Sequence, residues 1–195
     1  MKTIVFVRHS LPDKSIKVNE KIPLSLEGID KAKEFFQHPI FNKIHTIYCS
    51  TYLRAYQTAQ VLSNQMISDE RLIERLIGDS KTADKKQWKM QYEDHDYKNY
   101  NGESLNEVKK RMSLCIQDIL EKMNEDEIDV VVSHATSICS YLLNVCDIKV
   151  TNEKDKIRKI TFNNKTILEG KIEKPSAFII QYKNNEIIDI TYINE

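Results

Sequence analysis

Two short apolar runs, Ile4-Val5-Phe6-Val7 and Val130-Val131-Val132, each lead within two residues to a histidine, and no other feature narrows the fold as much. Runs of β-branched residues without polar alternation suit strands covered on both faces. They predict interior strands of a parallel sheet with helices packed above and below. In an open sheet of that kind, ligands bind beyond the carboxyl ends of the strands. His9 and His134 are therefore predicted on one binding edge, and Arg8 arrives there with His9.

The remaining chain supplies matching elements. Thr3 to Val7 reads as the first strand. Ser25 caps a helix to about Gln37 with Leu26, Ile29, Ala32, Phe35 and Phe36 as its inward stripe. Thr46 to Cys49 reads as the next strand, followed by a helix capped by Ser50 or Thr51 and carrying Leu53, Tyr56, Ala59 and Leu62. From about residue 78 to 101 the periodicity fails while aromatic and charged residues mix (Trp88, Tyr92, His95, Tyr97, Tyr100), so this stretch reads as an insertion covering something. Ser104-Leu105-Asn106-Glu107 fits a capping box, and Leu105, Val108, Met112, Cys115, Ile119 and Met123 continue at helical spacing. Ile128 to Ser133 is a further buried-type strand, and Ala135 to Leu143 the helix after it. In the tail, Ile157 to Phe162, Ala177 to Tyr182 and Glu186 to Ile193 read as strands. The last two form a hairpin at about 177–193, turning at Asn184-Asn185. The predicted fold is α/β, a three-layer α/β/α sandwich whose mostly parallel central sheet gains an antiparallel edge, with residues 1–195 as a single domain.

Charge balance restricts the partners. Lys plus Arg total 29 and Asp plus Glu total 29, so no global field draws the chain to nucleic acid or to a membrane surface, and any anion must be held by local charge. Met1-Lys2-Thr3 runs straight into the first strand, which leaves no room for the apolar core of a signal peptide. No stretch is long and apolar enough to span a bilayer. Cys49, Cys115, Cys139 and Cys146 are scattered and form no Cys-x-x-Cys pair, so reduced thiols and a cytoplasmic location are expected.

The chemistry follows from what shares the edge. Arg54 falls in the first turn of a helix that begins where a strand ends, a place where backbone N–H groups already favour an anion. Two guanidiniums that grip oxygens in pairs, meeting two imidazoles, suit a phosphoryl group. Zinc would not be drawn to the arginines, so no metal is expected. His38, His45 and His95 lack such company and read as structural.

At these residues the sequence resembles the histidine phosphatase superfamily, also called the phosphoglycerate mutase-like family. Arg8-His9-Ser10 corresponds to its Arg-His-Gly, and Pro23-Leu24-Ser25-Leu26-Glu27-Gly28 to its Leu-Thr-x-x-Gly helix start. Ser50 to Ala59 corresponds to its Ser-x-x-x-Arg-Ala-x-Gln-Thr-Ala, and Leu72 to Gly78 to its Leu-x-Glu-x-x-x-Gly. Gly102-Glu103-Ser104 and Ser133-His134-Ala135 complete six elements in order over residues 4 to 135. The resemblance implies a metal-independent, cofactor-free phosphomonoester hydrolase acting on a small phosphorylated metabolite. It implies His9 as the nucleophile that forms a phosphohistidine, Arg8, Arg54 and His134 as the groups holding the transferring phosphoryl, and Glu74 as proton donor to the leaving oxygen. Without the resemblance, Glu74 reads as a solvated glutamate beside Glu70, Arg71 and Arg75. Ser10 and Ala135 replace glycines, so a positive φ at either would be strained. Gly102-Glu103-Ser104 reads as a helix cap. The Trp-Glu-Gly that many family phosphatases carry after Gly78 is missing here. A mutase-type phosphotransferase and a non-catalytic phospholigand-binding module are the alternatives. A Cys49-Arg54 tyrosine phosphatase loop is one residue too short. The segment around Trp88 to Tyr100 is the candidate for choosing the substrate, against the alternative that its aromatics anchor the insertion, and the lysines at 81, 85, 86 and 89 read as a solvated face that could guide anionic substrates.

Overall fold

The computed structural model of the chain describes residues 1–79 and 85–195, without the side chains of Lys85, Lys86 and Gln87. Lys81 thus lies outside the described residues, and so do the side chains of two more of the four lysines above. Lys89, the fourth, is engaged, with its ammonium 3.4 Å from Glu93 and 3.2 Å from Glu153.

The chain runs through β1 (Lys2–Arg8), α1 (Leu26–Phe35), β2 (Ile44–Ser50), α2 (Leu53–Leu62), β3 (Ile67–Asp69), α3 (Lys85–Glu93), α4 (Leu105–Lys122), β4 (Ile128–Ser133) and α5 (Ala135–Leu142). It ends with β5 (Asp147–Asn152), β6 (Ile157–Phe162), β7 (Lys165–Gly170), β8 (Ser176–Lys183) and β9 (Glu186–Ile193). The central sheet has the order β3-β2-β4-β1-β8-β9. The first four strands are parallel, and β8 joins β1 antiparallel with β9 beyond it. Side-chain alternation along β1 and β4 divides the core between two layers. Ile4, Phe6 and Val131 pack with α4 and α5, while Val5, Val7, Val130 and Val132 pack with Ala32 and Phe35 of α1 and Ala55 and Ala59 of α2. The three layers and the antiparallel edge match the fold predicted from the sequence.

The best-formed helix is the one with the strongest local signals. Ser104 accepts from the Glu107 N–H and Glu107 returns a bond to the Ser104 N–H, a closed capping box. Such a cap contributes about 1 kcal/mol. Leu105, Val108, Met112, Cys115 and Ile119 form its buried stripe. Asn184 and Asn185, at φ 52° and 62°, make the left-handed turn between β8 and β9, as Asn can where other side chains resist.

Several expectations are corrected. Leu26 is 83% exposed. The stripe of α1 that faces the sheet is Gly28, Ala32 and Phe35, and Leu26 sits two residues, or roughly 200° of helix rotation, before it. On α2 the buried face is Arg54, Ala55, Thr58 and Ala59, and Tyr56 points outward. An apolar-only stripe is rotated by one residue because Arg54 and Thr58 turn toward the binding edge. The cap of α2 is Tyr52, with no side-chain bond, rather than Ser50 or Thr51. The stretch read as aperiodic contains α3, whose few apolar anchors include Trp88 and Tyr92, one turn apart with ring centroids at 5.5 Å. The strand predicted at Ile157 to Phe162 is present as β6 and lies outside the central sheet. It is the middle strand of a separate three-stranded sheet, β5-β6-β7, whose Ile148, Ile160 and Phe162 extend the core on the α4/α5 side.

Two glycines fix close approaches. A Cβ at Gly28 would collide with the Leu11 carbonyl, which instead accepts from the Ser25 N–H at 3.0 Å, so the loop after β1 is seated on the start of α1. Gly78, at φ 73°, abuts Gly102. There Asp79 donates to the Tyr100 carbonyl at 2.8 Å and Glu103 to the Leu76 carbonyl at 2.8 Å. These contacts join the two ends of the 78–101 stretch.

Candidate active site

The parallel registers align the carboxyl ends of the central strands. Arg8 of β1 lies opposite Ser133 of β4, and Cys49 of β2 lies opposite Val132. His9 and His134 therefore leave adjacent strands at one level, and the His9 N–H donates to the Ser133 carbonyl at 3.0 Å. Their rings approach to 5.0 Å between centroids. His9 is 5% exposed, Arg54 6% and His134 fully buried, so three of the four residues that the sequence places on this edge meet, with His9 against both Arg54 and His134.

Hydrogen-bond accounting fixes both imidazoles. His9 Nδ1 lies 2.7 Å from the Ser10 carbonyl oxygen. A carbonyl can only accept, so Nδ1 carries the proton and Nε2 keeps its lone pair. Arg54 Nε donates to that lone pair at 3.2 Å. His134 Nε2 is 2.9 Å from the Ser50 hydroxyl, which also accepts from the Tyr52 N–H at 3.2 Å. Ser50 is fully buried, and among the described residues His134 Nε2 is the acceptor within reach of its O–H. The Ser50 proton therefore goes to Nε2, and the His134 proton sits on Nδ1, a buried atom with no partner among the described residues. Tyr52 packs edge-on against His134 at 5.3 Å and lies under the Arg54 guanidinium at 5.1 Å.

Electrostatics reinforce this arrangement. Burial holds His9 well below the usual imidazole range, and the charges of Arg54 and Arg8 push the same way. His134 is lowered for like reasons, with burial first and then His9, Arg54 and Arg8. Both rings are neutral near pH 7. Arg54 is anchored by its Nη1 donating to the Asn19 carbonyl at 2.6 Å. Arg8 donates to the Ile172 carbonyl, and its Nε is buried without a partner among the described residues. Neither α2 nor α5 has a side-chain N-cap bond, so first-turn N–H groups of both helices remain available where Arg54 and His134 sit.

Glu74 lies outside any regular element, yet the backbone just before it is held from three sides. Ser133 donates to the Leu72 carbonyl at 2.7 Å, Ser137 to the Ile73 carbonyl at 2.6 Å, and Arg111 to the Arg71 and Ile73 carbonyls at 2.6 and 3.0 Å. The carboxylate accepts from the Arg75 N–H at 2.9 Å, with the Ser137 hydroxyl at 3.4 Å. It is half-buried, and its charge bears on Arg8, Arg54, Arg75 and Arg158. This is not the freely solvated glutamate that composition alone suggests. Ser50, Ser133, Ser137 and Arg111 are the positioning residues that sequence reasoning missed. A serine closing each of two strands is the signal that could have marked the first two.

The remaining residues resolve plainly. Neither Ser10 nor Ala135 adopts a positive φ, and the Ser10 hydroxyl donates to the Gly28 carbonyl at 2.6 Å, so both side chains fit without strain. Gly102-Glu103-Ser104 is structural, since Glu103 pairs with Arg111 at 2.8 Å and Ser104 caps α4. Burial raises the Cys49 thiol, the opposite of what a thiolate nucleophile needs. All four cysteines are free and buried. Among the described residues no group of three or more His, Cys, Asp and Glu side chains could hold a metal ion, and no helix is long and apolar enough to cross a membrane. Lys174 acts on His9 through its charge and is itself pushed down to about 8, by burial first and then by Arg8, Lys14 and Arg54.

Comparison with known proteins adds an independent finding. The family model described as histidine phosphatase superfamily (branch 1) matches residues 4–177. No curated protein matches the chain. Among solved structures, phosphoserine phosphatase from Entamoeba histolytica in complex with 3-phosphoglyceric acid is 20% identical with a TM-score of 0.73, covering 100% of this chain and 98% of that one. A variant of that enzyme in complex with phosphoserine is 19% identical with a TM-score of 0.73, covering 100% and 97%. Mycobacterial glucosyl-3-phosphoglycerate phosphatase with inorganic phosphate is 20% identical with a TM-score of 0.71, covering 98% and 94%.

Proposed function

Because this chain belongs to the histidine phosphatase superfamily, we propose that it hydrolyses phosphomonoesters of small metabolites through a phosphohistidine on His9. The observation that carries the reading is the His9 ring itself. It is neutral and buried, its Nδ1 proton is committed to a carbonyl, and its Nε2 lone pair lies against a guanidinium.

In the first step His9 Nε2 forms a bond to phosphorus as the ester P–O bond opposite it breaks. Arg54 Nε exchanges its bond to Nε2 for one to a phosphoryl oxygen. Arg8, His134 Nδ1–H and the first-turn amides of α2 and α5 stabilise the equatorial oxygens, aligned before the charge develops. Glu74 gives its proton to the leaving oxygen. Water then attacks phosphorus, the N–P bond breaks, and Glu74 takes the water proton.

Phosphate release from a panel of phosphorylated metabolites, run in ¹⁸O-water, tests this directly. Hydrolysis puts one heavy oxygen into the product phosphate. Transfer to another position on the substrate without ¹⁸O would show a mutase, and tight phosphate binding without turnover would show a binding module.

Lys174 supplies a pH signature. Its ammonium is protonated below about 8 and lost above, so attraction of a phosphate dianion weakens as pH rises through that value. We expect kcat/KM to fall roughly 5- to 10-fold over that limb. Lys174→Met should remove the limb and Lys174→Arg should carry it beyond the range measured. A limb that survives Lys174→Met would assign it elsewhere.

A further inference from the structure

Arg158, a buried cation near the site, has no carboxylate among its hydrogen-bond partners in the described residues. Arg158 of β6 is 5% exposed. Among the described residues, its guanidinium donates to the Tyr92 hydroxyl at 2.7 Å and to the Cys139 sulfur at 3.0 Å. Neither is a carboxylate. Its Nε is buried with no partner among the described residues. The guanidinium carbon lies 4.9 Å from the Trp88 ring centroid and 5.4 Å from that of Tyr92. Ring faces offset part of the cost of burying a charge, but an Arg is far better satisfied by an oxyanion that takes two of its N–H groups.

Its position says which anion it awaits. Cys139 lies on α5, shortly after His134; the charge of Glu74 bears on Arg158, and that of Arg158 bears on Arg8. His9 takes up the phosphoryl group on one side of the site, and Glu74 meets the leaving oxygen on the other. A cation bonded to Cys139 of α5 and under the charge of Glu74 therefore lies toward whatever the leaving oxygen is attached to. A purely structural arginine in a strand would be expected to meet a carboxylate or several carbonyls. The partners of this one are a phenol, a thiol and two ring faces, which orient the guanidinium without neutralising it.

We propose that Arg158, oriented by Tyr92 and Trp88, binds a second oxyanion on the leaving-group part of the substrate, a carboxylate or a second phosphate. The substrate class is then a phosphomonoester that carries another anionic group. This rests on the hydrolase reading above and narrows it. It also gives the 78–101 stretch a role, because α3 supplies both aromatic side chains that hold Arg158.

Matched pairs that differ only in the second anion test the idea. O-phosphoserine is set against phosphoethanolamine, 3-phosphoglycerate against glycerol 3-phosphate, and fructose 1,6-bisphosphate against fructose 6-phosphate. The first two pairs read a carboxylate and the third a second phosphate. In the native protein kcat/KM should favour the doubly anionic member of at least one class by about 30-fold or more. Arg158→Met should bring that ratio to within about threefold, and Tyr92→Phe, which removes one tether and keeps the ring, should give an intermediate value. A native ratio near one in every pair overturns the proposal, and so does a ratio that Arg158→Met leaves intact. Should Arg158→Met fail to fold, the native ratio and Tyr92→Phe still decide. If no member of any pair is turned over, the hydrolase reading fails by itself, and the affinity ratio of the same pairs by calorimetry then decides the role of Arg158.

Discussion

His9→Ala is expected to lower turnover of any phosphomonoester by roughly 10⁴-fold or more, because no other described imidazole at the site has a free lone pair to offer phosphorus. His134 cannot substitute, since Ser50 occupies its Nε2 and its Nδ1 carries the proton. The fold should survive. The variant strands the Ser10 carbonyl and the Arg54 Nε–H, a cost of about 1–3 kcal/mol. β1 keeps its ladder to β4 and β8. Two measurements together check this. Rapid acid-free quenching with labelled substrate should trap a phosphoprotein in the native chain and none in the variant, while circular dichroism stays unchanged. Substantial turnover by the variant would remove His9 as nucleophile.

Glu74→Gln should separate substrates by their leaving groups. The amide keeps the size of the carboxyl and can still meet the Arg75 N–H, but it has no acidic proton to give. An alkyl phosphate, whose alkoxide leaves poorly, should lose about 10²- to 10⁴-fold in kcat. For p-nitrophenyl phosphate, whose phenolate leaves unaided, the bond-breaking step should lose less than about tenfold. An equal loss on both would count against proton donation and leave Glu74 as a charge that merely orders the surrounding guanidiniums. A burst of nitrophenol in the variant would indicate that breakdown of the phosphohistidine, where Glu74 serves as base, has become the slower step.

The parts legible in the sequence are those in which local chemistry and tertiary packing agree. The Ser104 capping box and the Asn184-Asn185 turn satisfy their backbone locally, and the Val130-Val131-Val132 run has the unbroken apolar pattern that an interior strand between β1 and β2 requires, so packing had nothing to overrule. β5 and β7 escaped because the outer strands of a small sheet alternate weakly, with Lys149, Thr151, Lys165 and Glu169 turned to solvent. α3 escaped because its anchoring depends on Trp88 and Tyr92, too few apolar positions to reveal a period. At the site, His9, Arg8, Arg54 and His134 announce themselves by standing at strand and helix ends. Arg158 does not, since an arginine in a strand looks like a solvent-facing residue until Trp88 and Tyr92 close over it. Glu74 was visible by resemblance alone. What places it is a set of bonds from Ser133, Ser137 and Arg111, separated from it by about 40 to 60 residues of chain.

The Arg54 Nε–H that rests on His9 Nε2 bears on reactivity toward compounds the protein was not built for. An imidazole whose lone pair is already sharing a proton is a poor target for stray acylating or alkylating agents, even though it is uncharged. Only an incoming group with oxygens able to draw the guanidinium aside can uncover it. Discrimination among electrophiles therefore begins before any bond to phosphorus forms, in the competition for one arginine.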